Sequence, residues 1–165
     1  MLNIILAVED ELSLAVGNKI ASYAGWNVET ILAKNGKGYL SKKFRDLCST
    51  AKHRAVFLLV DLNSSYHCAP SLLREWMKGI QIPPLLFFRV AVREIESWLL
   101  ADHEAMKTLL GTEGKLMLQP DNLKNPKEEL LALLKKVNKY IREGVVRSDK
   151  GEISQGVAYN SILRK

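Results

Sequence analysis

Leu2 to Val8 is an unbroken apolar run, the pattern of a strand covered on both faces. Leu12, Ala15, Val16, Ile20 and Tyr23 then recur at helical spacing, with Asp10 or Glu11 placed to open the helix and Gly25 to stop it. Trp26, Val28 and Thr30 alternate with polar residues and predict a second strand. Asn35-Gly36-Lys37-Gly38 reads as a loop ahead of a helix carrying Leu40, Phe44 and Leu47. Ala55 to Val60 is a third strand, Pro70-Ser71 leads into a helix with Leu72, Leu73 and Trp76, and Pro83-Pro84 precedes a fourth strand over Leu85 to Val92.

From Glu94 the period becomes helical again. Ile95, Trp98 and Leu99, then Met106, Leu109 and Leu110, predict one bent helix or two short ones, with Asp102 able to cap the second. Gly111 to Leu123 reads as irregular. Asn125-Pro126-Lys127-Glu128 predicts a helix start with an Asn cap, Pro at the first helical position and a capping-box Glu. That helix continues through Leu130, Leu131, Leu134, Val137 and Ile141 to Gly144. Arg147 to Gly156 is polar and expected to be loose, and a last helix over Ala158 to Leu163 is expected to be cut short at Lys165. Strands alternating with helices, followed by helices alone, predict an α/β fold: a mostly parallel four-stranded sheet flanked by helices, with a helical C-terminal addition. The 165 residues are read as one domain, with a core over about 1–110 and an extension over about 111–165.

Composition narrows the class of protein. Apolar content of 47% and charged content of 25% are those of an ordinary globular chain. No run approaches the roughly 20 apolar residues of a membrane span, so no membrane partner is expected. The apolar N-terminus lacks a basic leader and meets Glu9 too soon for a signal peptide. With two cysteines, Cys48 and Cys68, and no CxxC pair, reduced thiols and a cytoplasmic location are expected. The net charge of +6 suits a polyanion such as DNA or RNA, and solubility alone also explains it.

The candidate chemistry lies in acids that follow the strands. Glu9, Asp10 and Glu11 follow the first, Asp61 follows the third, and Glu94 and Glu96 follow the fourth. In an open parallel sheet the carboxyl ends of the strands share one edge, where ligands bind. Converging carboxylates repel one another unless protons or a hard cation neutralise them, so Mg²⁺ or Mn²⁺ is the expected cofactor. Helix capping is the plainer account of each cluster taken separately. Asp61-Leu62-Asn63 is a D-x-D pair with an amide in second place; in extended backbone its two ends share a face. Glu94 and Glu96 are two apart and would both reach one site only across a strand–helix junction.

Other signals are weaker. Asn35-Gly36-Lys37-Gly38 could hold a phosphate, which makes Lys37 a substrate-binding candidate, but it lacks P-loop spacing. His53, His67 and His103 show no metal-ligand spacing, and Ser64, Ser65 and Ser71 have no nucleophile-elbow context. Arg89 and Arg93 flank the fourth strand, where they would balance the acids or bind phosphate. Lys124, Lys127, Lys135, Lys136, Lys139, Arg142 and Arg147 make the C-terminal helix and its flank basic, either as a solvated face or as a track for a nucleic-acid backbone.

With Val8-Glu9-Asp10-Glu11, Val60-Asp61-Leu62-Asn63 and Ala91-Val92-Arg93-Glu94-Ile95-Glu96-Ser97-Trp98-Leu99-Leu100-Ala101-Asp102 in view, the chain resembles the Toprim-like families. It is most similar to a group of short bacterial proteins with a domain of unknown function. Asn125-Pro126-Lys127-Glu128 and Tyr140 also fit that group. Toprim domains occur in topoisomerases, primases and nucleases of the overcoming-lysogenization-defect type. The resemblance implies acid–base chemistry at Glu9, metal ligation by Asp61 with Asn63, and completion of the site by Glu94 or Glu96. Asp10-Glu11, where Toprim motifs usually have Gly, and Asn63 in place of Asp are departures. The expected function is metal-dependent phosphodiester hydrolysis in nucleic acid, with Glu9, Asp61, Asn63, Glu94 and Glu96 at the metal and Arg93 and Lys37 on the substrate. Two alternatives stand beside it: a non-catalytic module partnering an ATPase, as in phage-defence gene clusters, and an enzyme acting on nucleotides or small phosphoesters.

Overall fold

The computed structural model describes residues 1–33, 35–63, 66–111, 119–137, 139–149 and 152–163. The chain forms two compact units, Met1–Ala91 and Val92–Lys165.

The first unit is an α/β layer structure: β1 (Leu2–Val8), α1 (Glu11–Tyr23), β2 (Trp26–Leu32), α2 (Gly36–Thr50), β3 (Ala55–Asp61), α3 (Ala69–Trp76) and β4 (Leu86–Ala91). Its four strands are all parallel in the order β2-β1-β3-β4. The chain therefore moves outward from β1 in both directions, first to β2 and then back across to β3. Right-handed crossovers place α1 and α2 on opposite faces of such a sheet, and side-chain contacts agree. On one face α1 approaches β1 so closely that a Cβ on Gly17 would lie 2.9 Å from Leu6 Cδ1. Leu6 is in register with Phe57 there, and Trp26 packs 5.9 Å from Phe57 and 4.9 Å from Phe87, centroid to centroid. On the other face, Phe44 of α2 and Trp76 of α3 each lie 5.5 Å from Phe88.

Continuous apolar runs became the two central strands: β3 is buried throughout, and β1 from Ile4 onward. Asp10 caps α1, accepting the Ser13 N–H at 2.8 Å. The sequence Asn35-Gly36-Lys37-Gly38 is not a free loop. Gly36, at φ +70°, begins α2 and donates its N–H to the Glu9 carbonyl at 3.1 Å, so Lys37 sits in the first turn of a 15-residue helix.

The second unit contains α4 (Ile95–Ala101), α5 (His103–Leu110), a 3-10 turn at Pro120–Asn122, α6 (Pro126–Leu134), α7 (Lys139–Val145), β5 (Val146–Asp149), β6 (Glu152–Gln155) and α8 (Tyr159–Leu163). The predicted helical stretch after Glu94 is two helices, and Asp102 caps the second by accepting the Ala105 N–H at 3.0 Å. Both helices group with the C-terminal unit and not with the sheet.

Three expectations are corrected. The helix expected from Pro126 to Gly144 is two, α6 and α7. The segment from Arg147 to Gly156, expected to be loose, is mostly an antiparallel hairpin pairing Val146 with Gln155 and Asp149 with Glu152. Asn125 makes no side-chain cap on α6; its amide donates to Glu128 at 2.9 Å. Residues 112–118 of the expected irregular stretch, Ser64, Ser65, and the side chains of Tyr140 and Ile141 lie outside the described residues.

Candidate functional site

The reversal of chain direction at β1 falls between the carboxyl ends of β1 and β3, the place where open parallel sheets bind ligands. Three of the candidates meet there. Glu9, one residue past β1, accepts the main-chain N–H of Asp61 at 2.8 Å. Asp61 is the last residue of β3 and is buried, with 9% of its surface exposed. From the first turn of α2, Lys37 donates its ammonium to the Asp61 carbonyl at 2.6 Å and the Leu62 carbonyl at 2.9 Å. The same ammonium lies 5.0 Å from the centre of the Tyr66 ring.

Electrostatics follow from burial. Desolvation raises the Glu9 carboxyl above the usual glutamate value and Asp10 adds to the rise, while the Asp61 N–H and Lys37 pull it back. Desolvation lowers the Lys37 ammonium, opposed by the charges of Glu9 and Asp61. Burial thus favours the neutral form of each group, and their mutual attraction favours the charged forms.

Asn63 does not extend the strand. β3 ends at Asp61, Leu62 is buried, and Asn63 takes a left-handed φ of +56°. Asp61 and Asn63 therefore do not share a face of extended backbone, contrary to expectation. The same conformation supplies a local reason for Asn, which tolerates this region better than most side chains.

Glu94 and Glu96 belong to the second unit and have defined partners there. The Glu94 carboxylate accepts the Lys127 N–H at 3.0 Å and so caps α6 from 33 residues away in sequence. Glu96, 5% exposed, accepts the Tyr159 hydroxyl at 2.9 Å. Burial raises its carboxyl, while its own backbone N–H, Tyr159 and Lys127 lower it and Glu94 raises it further. Lys127 also places its ammonium 5.7 Å from the Tyr159 ring centre. Ser97 fixes the start of α4 by donating to the Val92 and Glu94 carbonyls at 2.5 and 2.8 Å. Arg93 lies half-buried in the same segment. Sequence reasoning missed Tyr66, an aromatic ring in a polar stretch, and Tyr159, one ring within the expected last helix.

Among the described residues, no group of three or more His, Cys, Asp or Glu side chains gathers as a metal cluster. No described helix is long and apolar enough to cross a membrane. No family model, curated protein or solved structure matches the chain.

Proposed function

We propose that the β1–β3 edge is a phosphoester site, and that the protein is a Mg²⁺- or Mn²⁺-dependent phosphodiester hydrolase acting on nucleic acid. The observation that carries this reading is the meeting of Glu9, Asp61 and Lys37 at the point where the sheet's connections diverge. Two carboxylates do not make a closed cage, but Mg²⁺ is commonly held by one or two carboxylates together with the substrate's own phosphates. The donor set fits a cation of that kind. When bound, such a cation would polarise the phosphate and activate water.

The chain's own residues account for the rest. Asp61, fixed at the end of a buried strand, offers oxygen ligands in a preset position. Glu9, raised by burial and held by the Asp61 N–H, moves a proton at neutral pH more readily than an exposed glutamate. Lys37 would supply positive charge to the phosphate. The positive balance of the whole chain favours a polymeric anion over a small one.

A non-catalytic module partnering an ATPase is the second reading, supported by Asn63, a neutral amide where the second acid of a D-x-D pair would stand. Calorimetric titration of Mn²⁺ with a phosphodiester oligonucleotide present separates the two readings. Saturable binding in the wild type, lost in Asp61→Ala, together with oligonucleotide cleavage lost in Glu9→Gln, is the result expected of the hydrolase. No binding and no cleavage would leave the partner-binding module.

A further inference from the structure

We propose that Lys37 is the resident cation of the β1–β3 edge, and that a divalent ion gains its place there only in competition with the lysine ammonium. The proposal rests on the phosphoester reading for its biological use, but the contacts that motivate it stand without that reading.

Three observations converge on Lys37. Its ammonium donates to two main-chain carbonyls at the end of β3, those of Asp61 and Leu62, and it carries the charge opposing both Glu9 and Asp61. Carbonyl oxygens are what a hard cation selects, and an ammonium is a compact charge that satisfies the same two oxygens. Lys37 also occupies the first turn of α2, where the helix dipole disfavours a cation, and no acidic residue shares that turn. Its placement is therefore held by the sheet edge and not by its own helix. Finally, the backbone leading to it is tied down: the Gly36 N–H bonds the Glu9 carbonyl, and the Tyr66 ring lies beside the ammonium.

The consequence is a lysine that sets metal affinity. Removing the positive charge that opposes those of Glu9 and Asp61 should tighten divalent binding about tenfold or more, by the same field that shifts the titration of neighbouring groups. The test is calorimetric Mn²⁺ titration, with a phosphodiester oligonucleotide present, of the wild type, Lys37→Met, Lys37→Gln and Lys37→Arg, with folding checked by thermal melts. Mg²⁺ titration of protein carrying ¹³C-labelled lysine gives a second readout, because the Lys37 side-chain resonance should move as the ion enters. Tighter binding in Lys37→Met and Lys37→Gln, but not in Lys37→Arg, is the expected result. Binding seen only in the two neutral variants would equally support the proposal, while showing that the wild-type edge holds no metal by itself. Wild-type binding that the neutral variants match or weaken would overturn the proposal and leave the metal reading standing. No binding in any variant would overturn both.

Discussion

The carboxylate of Glu9 receives the main-chain N–H of Asp61 at 2.8 Å, joining the ends of β1 and β3 through a side chain where the strand ladder stops. This gives Glu9 a structural duty beside any catalytic one, and two substitutions separate them. Glu9→Ala leaves a part-buried N–H without its acceptor, at a cost of about 1–3 kcal/mol. Glu9→Gln keeps a carbonyl oxygen and should cost under about 1 kcal/mol, yet it cannot move a proton. Urea denaturation of both variants beside phosphodiesterase assays checks this. Equal stability loss in the two would mean that the carboxylate charge, not the acceptor, holds the strand ends.

The second unit should be more stable in mild acid than the presence of carboxylates alone implies. Burial raises the Glu96 carboxyl above its ordinary value of 4.5. The folded state then binds this proton more tightly than the unfolded chain. Its contribution is fully present below the unfolded value and is lost as pH rises through the raised folded value. In the first unit, Glu9 makes a contribution of the same sign. Glu96→Gln keeps an acceptor for the Tyr159 hydroxyl and removes the buried charge, so it should flatten part of the slope on the alkaline side of pH 4.5. Tyr159→Phe should do the reverse, costing about 1–3 kcal/mol by taking the hydroxyl from a buried carboxyl. Denaturation midpoints across that pH range measure both effects, and a Glu96→Gln slope equal to the wild type's would show that Glu96 does not titrate there.

Much of the first unit is legible because its signals are local. A continuous apolar run can be buried on both faces only as a central strand, and β1 and β3 became that. Asp10 and Asp102 act within three residues of themselves, so their caps follow from spacing alone. What the sequence hides is partnership at a distance. Asn125 has the right identity and spacing to cap α6, but the Glu94 carboxylate reaches the Lys127 N–H first, from a segment no spacing rule connects. Lys37 looked like a loop residue because the bond from Gly36 to Glu9 that starts α2 joins residues 27 apart. The β5–β6 hairpin was missed because each strand carries a single apolar residue, Val146 and Ile153, and gives no alternating run. At the candidate site the residue types and the sheet edge were legible; the ammonium among the acids was not.

Two glycines should respond to the same substitution in opposite directions. A Cβ on Gly156 would collide with the Gly144 carbonyl, and the Gly156 N–H bonds the Val145 carbonyl at 2.7 Å. Relief would require backbone movement where α7 meets β5, so Gly156→Ala should destabilise by about 1–3 kcal/mol. Gly38 lies inside α2 with open space around its would-be Cβ. Gly38→Ala should therefore stabilise by about 0.5–1 kcal/mol through helix propensity alone. Thermal melts of the two variants test the pair; a stabilised Gly156→Ala would mean that the approach of Gly156 to Gly144 is looser in solution.

Asn63 offers a test that isolates charge from conformation. Its φ of +56° suits Asn, Asp and Gly, whereas a β-branched side chain there is strained by roughly 1–2 kcal/mol. Asn63→Asp should leave stability within about 0.5 kcal/mol, and Asn63→Val should lower it by that larger amount. With backbone held constant, Asn63→Asp adds one negative charge two residues beyond Asp61. If a divalent ion binds through Asp61 and residue 63 together, Mn²⁺ affinity should rise about tenfold, by the same field argument that applies to neighbouring charges. An unchanged affinity in a folded Asn63→Asp variant would place residue 63 outside the ion's reach, leaving Glu9 and Asp61 as the protein ligands at that edge.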